Sequence, residues 1–477
     1  MSNQSVDIVF AGIPWVGGGA PLMAPALLKS IVQLEGYSAV GIDLNNEVMN
    51  HVIETFDNVE EALHVANFIA QRRSPNLEYY NNHSKFFHEQ ITYMAERILS
   101  YKPSHIGLSL LSIDSQFCTE YLALRLRQLA PNKKIVIGGP GITSNLTSKE
   151  NTYAEGLLER GLIDCYLSGR GKEGILEYLK GNLKQSDNEI EYNLSNTELD
   201  LPYPNYEDYD FDQYLIKALP ILESEGCVQK CEFCDLIEYW PKYKFKKSSE
   251  FFDEMLRQSE TYGIRYFDVR NSLTNGSMQE FKKWLTLVAD YNSKNPNQQF
   301  FWSGYFIIRP EKFHPEEMFK LIKETNGQLV IGVETPVERV RIEMGKKFTN
   351  KDIDYHFYMS RKYNIENLLL LMSANPGETQ EDYRFVEEWL NDQQPYIGTT
   401  ISRIVVQVAV ILPDTVWDKK RDSNEWDVTP GPCIHEFEQP GINDFKSRME
   451  HSQKLSTLAN KFNTLVESSF YTFGNNN

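Results

Sequence analysis

Short β-branched runs alternate with helix-length amphipathic segments along most of the chain, in two separate series, and few architectures accept that order. The first series is "VDIVFAG", "SAVGIDL", "SHIGLSL", "KKIVIGG" and "IDCYLSG", between residues 6 and 169. Helical periodicity is clear in "APALLKSIVQLEG" and "EYLALRLRQLAP", which end on the Gly and Pro expected as stop signals. Five strands joined by crossover helices imply a doubly wound parallel α/β domain over residues 1–185. The acidic, Pro-containing stretch "DNEIEYNLSNTELDLPYPNYEDYDFD" has neither period, so 186–215 is expected to be an interdomain linker. A second series follows: "LPILESEG", "IRYFDVR", "QQFFWSGYF", "QLVIGVE", "NLLLLMSA" and "RIVVQVAVIL". Six such units over 216–415 imply a partial parallel (β/α)6 barrel, with chemistry on the loops at the C-terminal strand ends. Residues 416–477 read as a mainly helical C-terminal extension.

Three of the six cysteines fall within "GCVQKCEFC", residues 226–234, directly after the first strand of the second series and so at the barrel mouth. A chain of 477 residues with 41% hydrophobic residues can bury large cores without disulfides. The first basic residue is Lys29 and no apolar run approaches the ~18 residues of a membrane span, so a cytoplasmic location is expected. Thiols stay free there, which points the cluster to metal or redox chemistry. A net charge of −18 argues against a nucleic-acid-binding surface, and the basic run "KYKFKK", Lys242 to Lys247, is expected to be a solvated loop. Cys227, Cys231 and Cys234 form CxxxCxxC with no nearby fourth Cys or His. They suit a four-iron, four-sulfur cube with one open iron, or else a zinc ion completed by a distant residue such as His435.

With Phe233 before the third Cys, this pattern resembles the radical S-adenosylmethionine (SAM) superfamily. The resemblance implies that Cys227, Cys231 and Cys234 hold a [4Fe-4S] cluster, that its open iron chelates SAM, and that Phe233 lies against the adenine. One-electron cleavage of SAM would then give a deoxyadenosyl radical that abstracts hydrogen from the substrate. "VRNSLTNGS" is similar to a turn of cobalamin-type members, with Asn271 where Asp is usual and with Ser272 and Asn275 kept. "WSGYFIIRP" offers Ser303, Tyr305 and Arg309, the last suited to a carboxylate. "GVETP" resembles the family's GxE segment and implies Glu334 as a partner for ribose hydroxyls or an amine. "SANPGET" resembles its PGET turn, where Asn375 and Gly377 would bring backbone close to the nucleoside.

The first domain resembles the cobalamin-binding domain that precedes the radical barrel in one large subfamily, so the flavodoxin- or Rossmann-like module is expected to bind cobalamin. Ser109 and Leu111 in "GLSLLS", and Gly138 and Gly139 in "IVIGGPGITSN", would receive the dimethylbenzimidazole tail. No DxHxxG stretch follows the first strand, so no lower-axial histidine is assigned. The alternative is a degenerate module that packs on the barrel. "GGGA", Gly17 to Ala20, lacks the GK[ST] of a phosphate loop. Cys118, Cys165 and Cys433 are isolated and expected to be small buried residues.

These resemblances imply a cobalamin-dependent radical SAM enzyme that methylates an unactivated carbon or phosphorus. The alternatives are an oxidoreductase or rearrangement enzyme without methyl transfer, and a non-catalytic metal-stabilised binding protein. A small-molecule substrate is expected, with Tyr305, Arg309 and Gln407 as contacts, together with an external one-electron reductant such as flavodoxin or ferredoxin and no membrane partner.

Overall fold

The computed structural model describes residues 5–15, 19–71, 77–142, 152–169, 171–183, 189–190, 199–412, 415–420, 427–429, 436–438 and 444–463. The chain divides into two compact units, one of residues 1–193 and 201–217, the other of 194–200 and 218–477.

In the first unit, β1 (Ile8–Gly12), β2 (Ala39–Asp43), β3 (His105–Ser109), β4 (Lys134–Gly138), β5 (Cys165–Gly169) and the short β6 (Glu189–Ile190) form one parallel sheet in the order β2-β1-β3-β4-β5-β6. The five strands read from the sequence are β1 to β5, and the order is that of a doubly wound sheet. Alternate residues of β1 feed two cores. Val9 packs with Ile42, Ile106, Ile137 and Met94, while Ile8 and Phe10 pack with Val32, Val136 and Ile175 on the other face. The order reverses between β1 and β3, the kind of switch point outside whose C-terminal strand ends doubly wound sheets take their ligands.

Part of the stretch expected to be a linker belongs to this unit instead, namely residues 201–217. Its acidity is spent on pairing: Asp208 accepts from Lys29 Nζ at 2.6 Å and from the Gly41 N–H at 2.9 Å. Tyr209 donates to the Leu22 carbonyl, and Tyr214 to Asp43 at 3.2 Å. The last change of unit falls at 217/218, two residues beyond the expected linker.

In the second unit, β7 (Leu219–Ile221) is followed by a two-stranded antiparallel ribbon of β8 (Ser224–Glu225) and β9 (Lys244–Phe245). Then come β10 (Tyr266–Val269), β11 (Phe301–Phe306), β12 (Gly327–Glu334), β13 (Asn367–Ser373) and β14 (Ile401–Val408). The large sheet runs β14-β13-β12-β11-β10-β7 with every pair parallel, the expected six-stranded open barrel. Along β13, Leu369 and Leu371 are buried under helices, while Leu368, Leu370 and Met372 face a half-open interior. Tyr305, Glu334 and Gln407 share that partly open character on their own strands. Trp302 takes the opposite face, fully buried, with its indole N–H donating to Thr325.

"KYKFKK" is not a solvated loop. Lys244 and Lys246 are buried beside β8, and Lys246 pairs with the fully buried Glu254 at 2.5 Å. The C-terminal extension includes a ribbon of β15 (Asp427–Thr429) with β16 (Glu436–Glu438), and the helix Phe445–Asn463. That helix covers the outer edge of β14, where the Asn463 side chain bonds both the N–H and the C=O of Ile404 at 2.8 Å. Arg448, fully buried, satisfies the carbonyls of Ala374, Ala409 and Phe437. Cys118 and Cys165 are buried, as expected of them, while Cys433 and His435 lie outside the described residues. Among the described residues no helix is long and apolar enough to cross a membrane.

Candidate active site

The β8–β9 ribbon lifts the chain out of the first barrel strand and aims the cysteine loop across the C-terminal mouth. Gly226, at φ +81°, starts the loop; a Cβ there would come within 2.8 Å of the Lys242 carbonyl, so the tight exit needs glycine. Cys227, Cys231 and Cys234 are all half-buried and free. A turn holds the last two, with the Cys234 N–H donating to the Cys231 carbonyl at 3.1 Å. The Gln229 N–H points at Cys227 Sγ from 3.4 Å, as donors do around thiolates. Burial pushes the free thiols up, Cys231 to about 12 and Cys234 to about 11, and the Lys346 ammonium opposes that at both. Among the described residues, no three His, Cys, Asp or Glu side chains converge on a single ion. Three thiols on one loop suit three corners of a multi-iron cluster, and among the described residues no fourth ligand joins them.

Two cations attend the loop. Arg309, at the end of β11, and Lys346, after β12, both act on Cys227. Lys346 also binds Glu334 at 2.6 Å and the Gly332 carbonyl at 2.6 Å, tying the end of β12 to the cysteines. Glu334 has φ +63° next to a register shift at Gly332, and Ala374, just past β13, has φ +58°. Left-handed non-glycine residues at two adjacent strand ends are strained, and such strain collects where chains bend around ligands. Glu343, Met344 and Gly345 bring a second loop against the first, with the Glu232 N–H donating to the Met344 carbonyl at 2.9 Å. Phe233 packs on Trp417, ring centroids 5.7 Å apart, and Trp417 N–H bonds the Glu232 carbonyl.

The remaining candidates separate into two groups. Ser303, Arg309 and Glu334 lie on the barrel strands or just past their ends, around the half-open interior, and Ser272 is half-buried in the loop after β10. The side chains of Asn271 and Asn275 bond the scaffold, while Asn375 donates to it and keeps a buried Oδ1 without a partner. Asn271 donates to Glu223 and Ser224 and accepts from Thr274. Asn275 clamps both backbone polar groups of Ile307 at 2.9 Å. Asn375 is held by Glu378, whose carboxyl burial pushes up to about 7, and Gly377 offers its carbonyl to Arg339. Lys346 and Trp417 carry no sequence signal, since each reaches the loop from a distant, unremarkable segment.

In the first unit, Gly12, Ser109 and Gly138 stand in register at the C-terminal ends of β1, β3 and β4. Gly139 follows at φ +102°, where a Cβ would lie 2.4 Å from the Leu110 carbonyl, and Leu111 is 45% exposed beside it. A Cβ on Gly12 would meet Leu22 at 2.6 Å, whereas beside Gly138 it would find only Leu167 at 3.6 Å or beyond, so the small residues here serve close packing first and leave the strand end beside Gly138 the less crowded one.

No protein-family model matches the chain. Over 176 residues it is 26% identical to the ribosomal protein uS12 methylthiotransferase RimO of Bacteroides fragilis, a span of 35% of this chain and 39% of that protein. Among solved structures, the radical SAM methyltransferase TsrM from Kitasatospora setae, with tryptophan substrate and a SAM analogue bound, matches at TM-score 0.61. That match covers 89% of this chain and 79% of TsrM at 15% identity. The cobalamin-dependent SAM radical enzyme OxsB, with aqua-cobalamin and SAM bound, matches at TM-score 0.62, over 94% of this chain and 66% of OxsB at 14% identity. The fold is therefore the one shared by cobalamin-dependent radical SAM enzymes.

Proposed function

We propose that the chain is a cobalamin-dependent radical SAM enzyme that methylates an unactivated carbon or phosphorus of a small molecule. The observation that carries this reading is the set of three free thiols at the mouth of a six-stranded parallel barrel, flanked by Arg309 and Lys346, with no fourth ligand among the described residues. When bound there, a [4Fe-4S] cluster supplies the electron that cleaves SAM, and a corrinoid in the first unit supplies the methyl group.

The protein's own side chains have separable tasks. Cys227, Cys231 and Cys234 hold the cluster. The Arg309 guanidinium, only partly satisfied by the Asn275 carbonyl at 3.0 Å, is available to a carboxylate. Glu334, oriented by Lys346, accepts from an amine or from hydroxyls. Leu368, Leu370 and Val330 give the interior an apolar wall that keeps water from a reactive carbon.

The test is anaerobic reconstitution with iron and sulfide, then incubation with SAM, dithionite and hydroxocobalamin. Deoxyadenosine and S-adenosylhomocysteine are expected together, and Cys231→Ala should lose both along with the brown colour. Deoxyadenosine alone moves the assignment to a radical oxidoreductase or rearrangement enzyme. Zinc without iron or sulfide removes it from radical chemistry altogether.

A further inference from the structure

Under the function proposed above, a substrate must lie in the half-open interior of the barrel, and one charged pair there braces nothing. Along β10, Phe267 and Val269 are buried, Phe267 against the ring of Phe300 at 5.1 Å, while Tyr266 and Asp268 face the other way. Arg270 continues that alternation, its N–H still bonded to the Ile221 carbonyl at 2.8 Å. Asp268 Oδ2 and Arg270 Nη2 meet at 2.6 Å. The two residues stand two apart on one stretch of chain, so their pairing ties no element to another.

The pair is also under-satisfied. A carboxylate has room for about four hydrogen bonds and a guanidinium for about five. Among the described residues neither group has a further hydrogen bond or ion pair, and the Arg270 side chain is 43% exposed. Burial pushes the Asp268 carboxyl up, with Arg270 opposing it. Both charges act on the Tyr305 phenol, which is itself 46% exposed. From there the surface turns apolar, since Tyr305 stands in register with Val330 and Val330 with Leu368. Register partners in a parallel sheet share a face, so the charged pair borders an apolar strip across the interior. Radical chemistry requires that this interior be dry. Once water is excluded, the open positions on both charges are costly unless the substrate itself fills them.

We propose that Asp268 and Arg270 bind the ammonium and the carboxylate of a zwitterionic substrate, a free α-amino acid whose apolar side chain lies along Tyr305, Val330 and Leu368. The ammonium donates to Asp268, the carboxylate accepts from Arg270, and the substrate inserts its own two charges into the pair.

The experiment uses the full chain, reconstituted anaerobically and kept oxidised with saturating SAM, and L-phenylalanine as the probe, with binding read by calorimetry. Phenethylamine lacks the carboxylate and 3-phenylpropionate lacks the ammonium; each is expected to bind about tenfold more weakly or worse, the loss of one charge-assisted bond. Asp268→Asn should erase the preference over 3-phenylpropionate and keep that over phenethylamine, and Arg270→Gln should do the reverse. Lost stability alone cannot produce that crossover. Deoxyadenosine formed from SAM under dithionite tests the proposed function separately. Protein that forms deoxyadenosine but does not bind phenylalanine overturns the zwitterion site and leaves the function standing. The crossover without deoxyadenosine keeps the site and removes the radical function, and the absence of both overturns the two together. Phenylalanine that binds only when SAM is withheld overturns the site, assigning the pair to the methionine end of SAM. N-acetylphenylalanine amide binding as tightly as phenylalanine also overturns it, assigning the interior to a residue within a peptide.

Discussion

At the turn after β4, Gly139 leaves no space for a larger residue. Alanine there would have to adopt φ +102° and would press its Cβ to 2.4 Å from the Leu110 carbonyl. Gly139→Ala is therefore expected to cost about 2 kcal/mol or more and to lower corrinoid retention, read by thermal unfolding and by absorbance of bound corrinoid after gel filtration. In the barrel unit, His356 is fully enclosed among Phe306, Phe319 and Phe357, with Nε2 on the Asn367 amide oxygen at 2.9 Å and Nδ1 without a partner. Burial pulls its pKa from 6.5 to about 4, and His314 nearby is also pulled down by burial. The unfolded chain thus takes up the proton first. The stability is complete above the unfolded value, and it drains away as pH falls from 6.5 to about 4, by about 3 kcal/mol for His356 alone. Denaturant unfolding at pH 7.5 and pH 4.5 should show that drop, and His356→Gln, which keeps a donor toward Asn367, should flatten it.

Among the elements, the short helix Val416–Lys420 has the greatest reach for its size. Trp417 is 3% exposed, its N–H bonds the Glu232 carbonyl, its ring meets Phe233, and Lys420 pairs with Glu232 at 2.5 Å. Two backbone and side-chain ties on one residue between Cys231 and Cys234 hold the shape of the loop. Trp417→Ala is expected to speed the loss of cluster absorbance in air several-fold without unfolding the barrel, and Trp417→Phe to restore most of the lifetime. A variant that bleaches at the unmodified rate would show that the helix merely covers the loop. None of this was legible in the sequence, because the helix meets the loop only through tertiary packing. The strands were legible, since β-branched runs such as "QLVIGVE" and "KKIVIGG" carry their period locally. So was the cysteine loop, whose spacing is local as well. Segments with no period of their own were not: residues 201–217 look like a solvated linker until Asp208 is seen on Lys29, and "KYKFKK" looks exposed until Lys246 is seen on Glu254. The hydrogen bonds of Asn271 and Asn275 to Glu223 and Ile307 were not legible either, because they too join residues far apart in the sequence.

On the scale of the whole molecule, two separate cores have consequences that one would not. The first unit has hydrophobic clusters of its own on both faces of its sheet, and its strap, 201–217, is bonded to it. A unit with its own core unfolds as its own cooperative step, so calorimetry should resolve more than one transition. A ligand that binds only the native form of one unit raises the transition of that unit by mass action, by about 2.7 kcal/mol at a hundredfold excess over Kd. Hydroxocobalamin is therefore expected to raise the transition that melts the first unit, and the Gly139→Ala protein should lose that increment along with its intrinsic stability. The assignment of the transition comes from hydrogen exchange followed by proteolysis, reading the amides of β3 and β4, where Ser109 and Gly138 stand in register. If saturating corrinoid leaves their protection and the transition unchanged, the row of small residues serves packing alone and the doubly wound unit is a structural companion to the barrel.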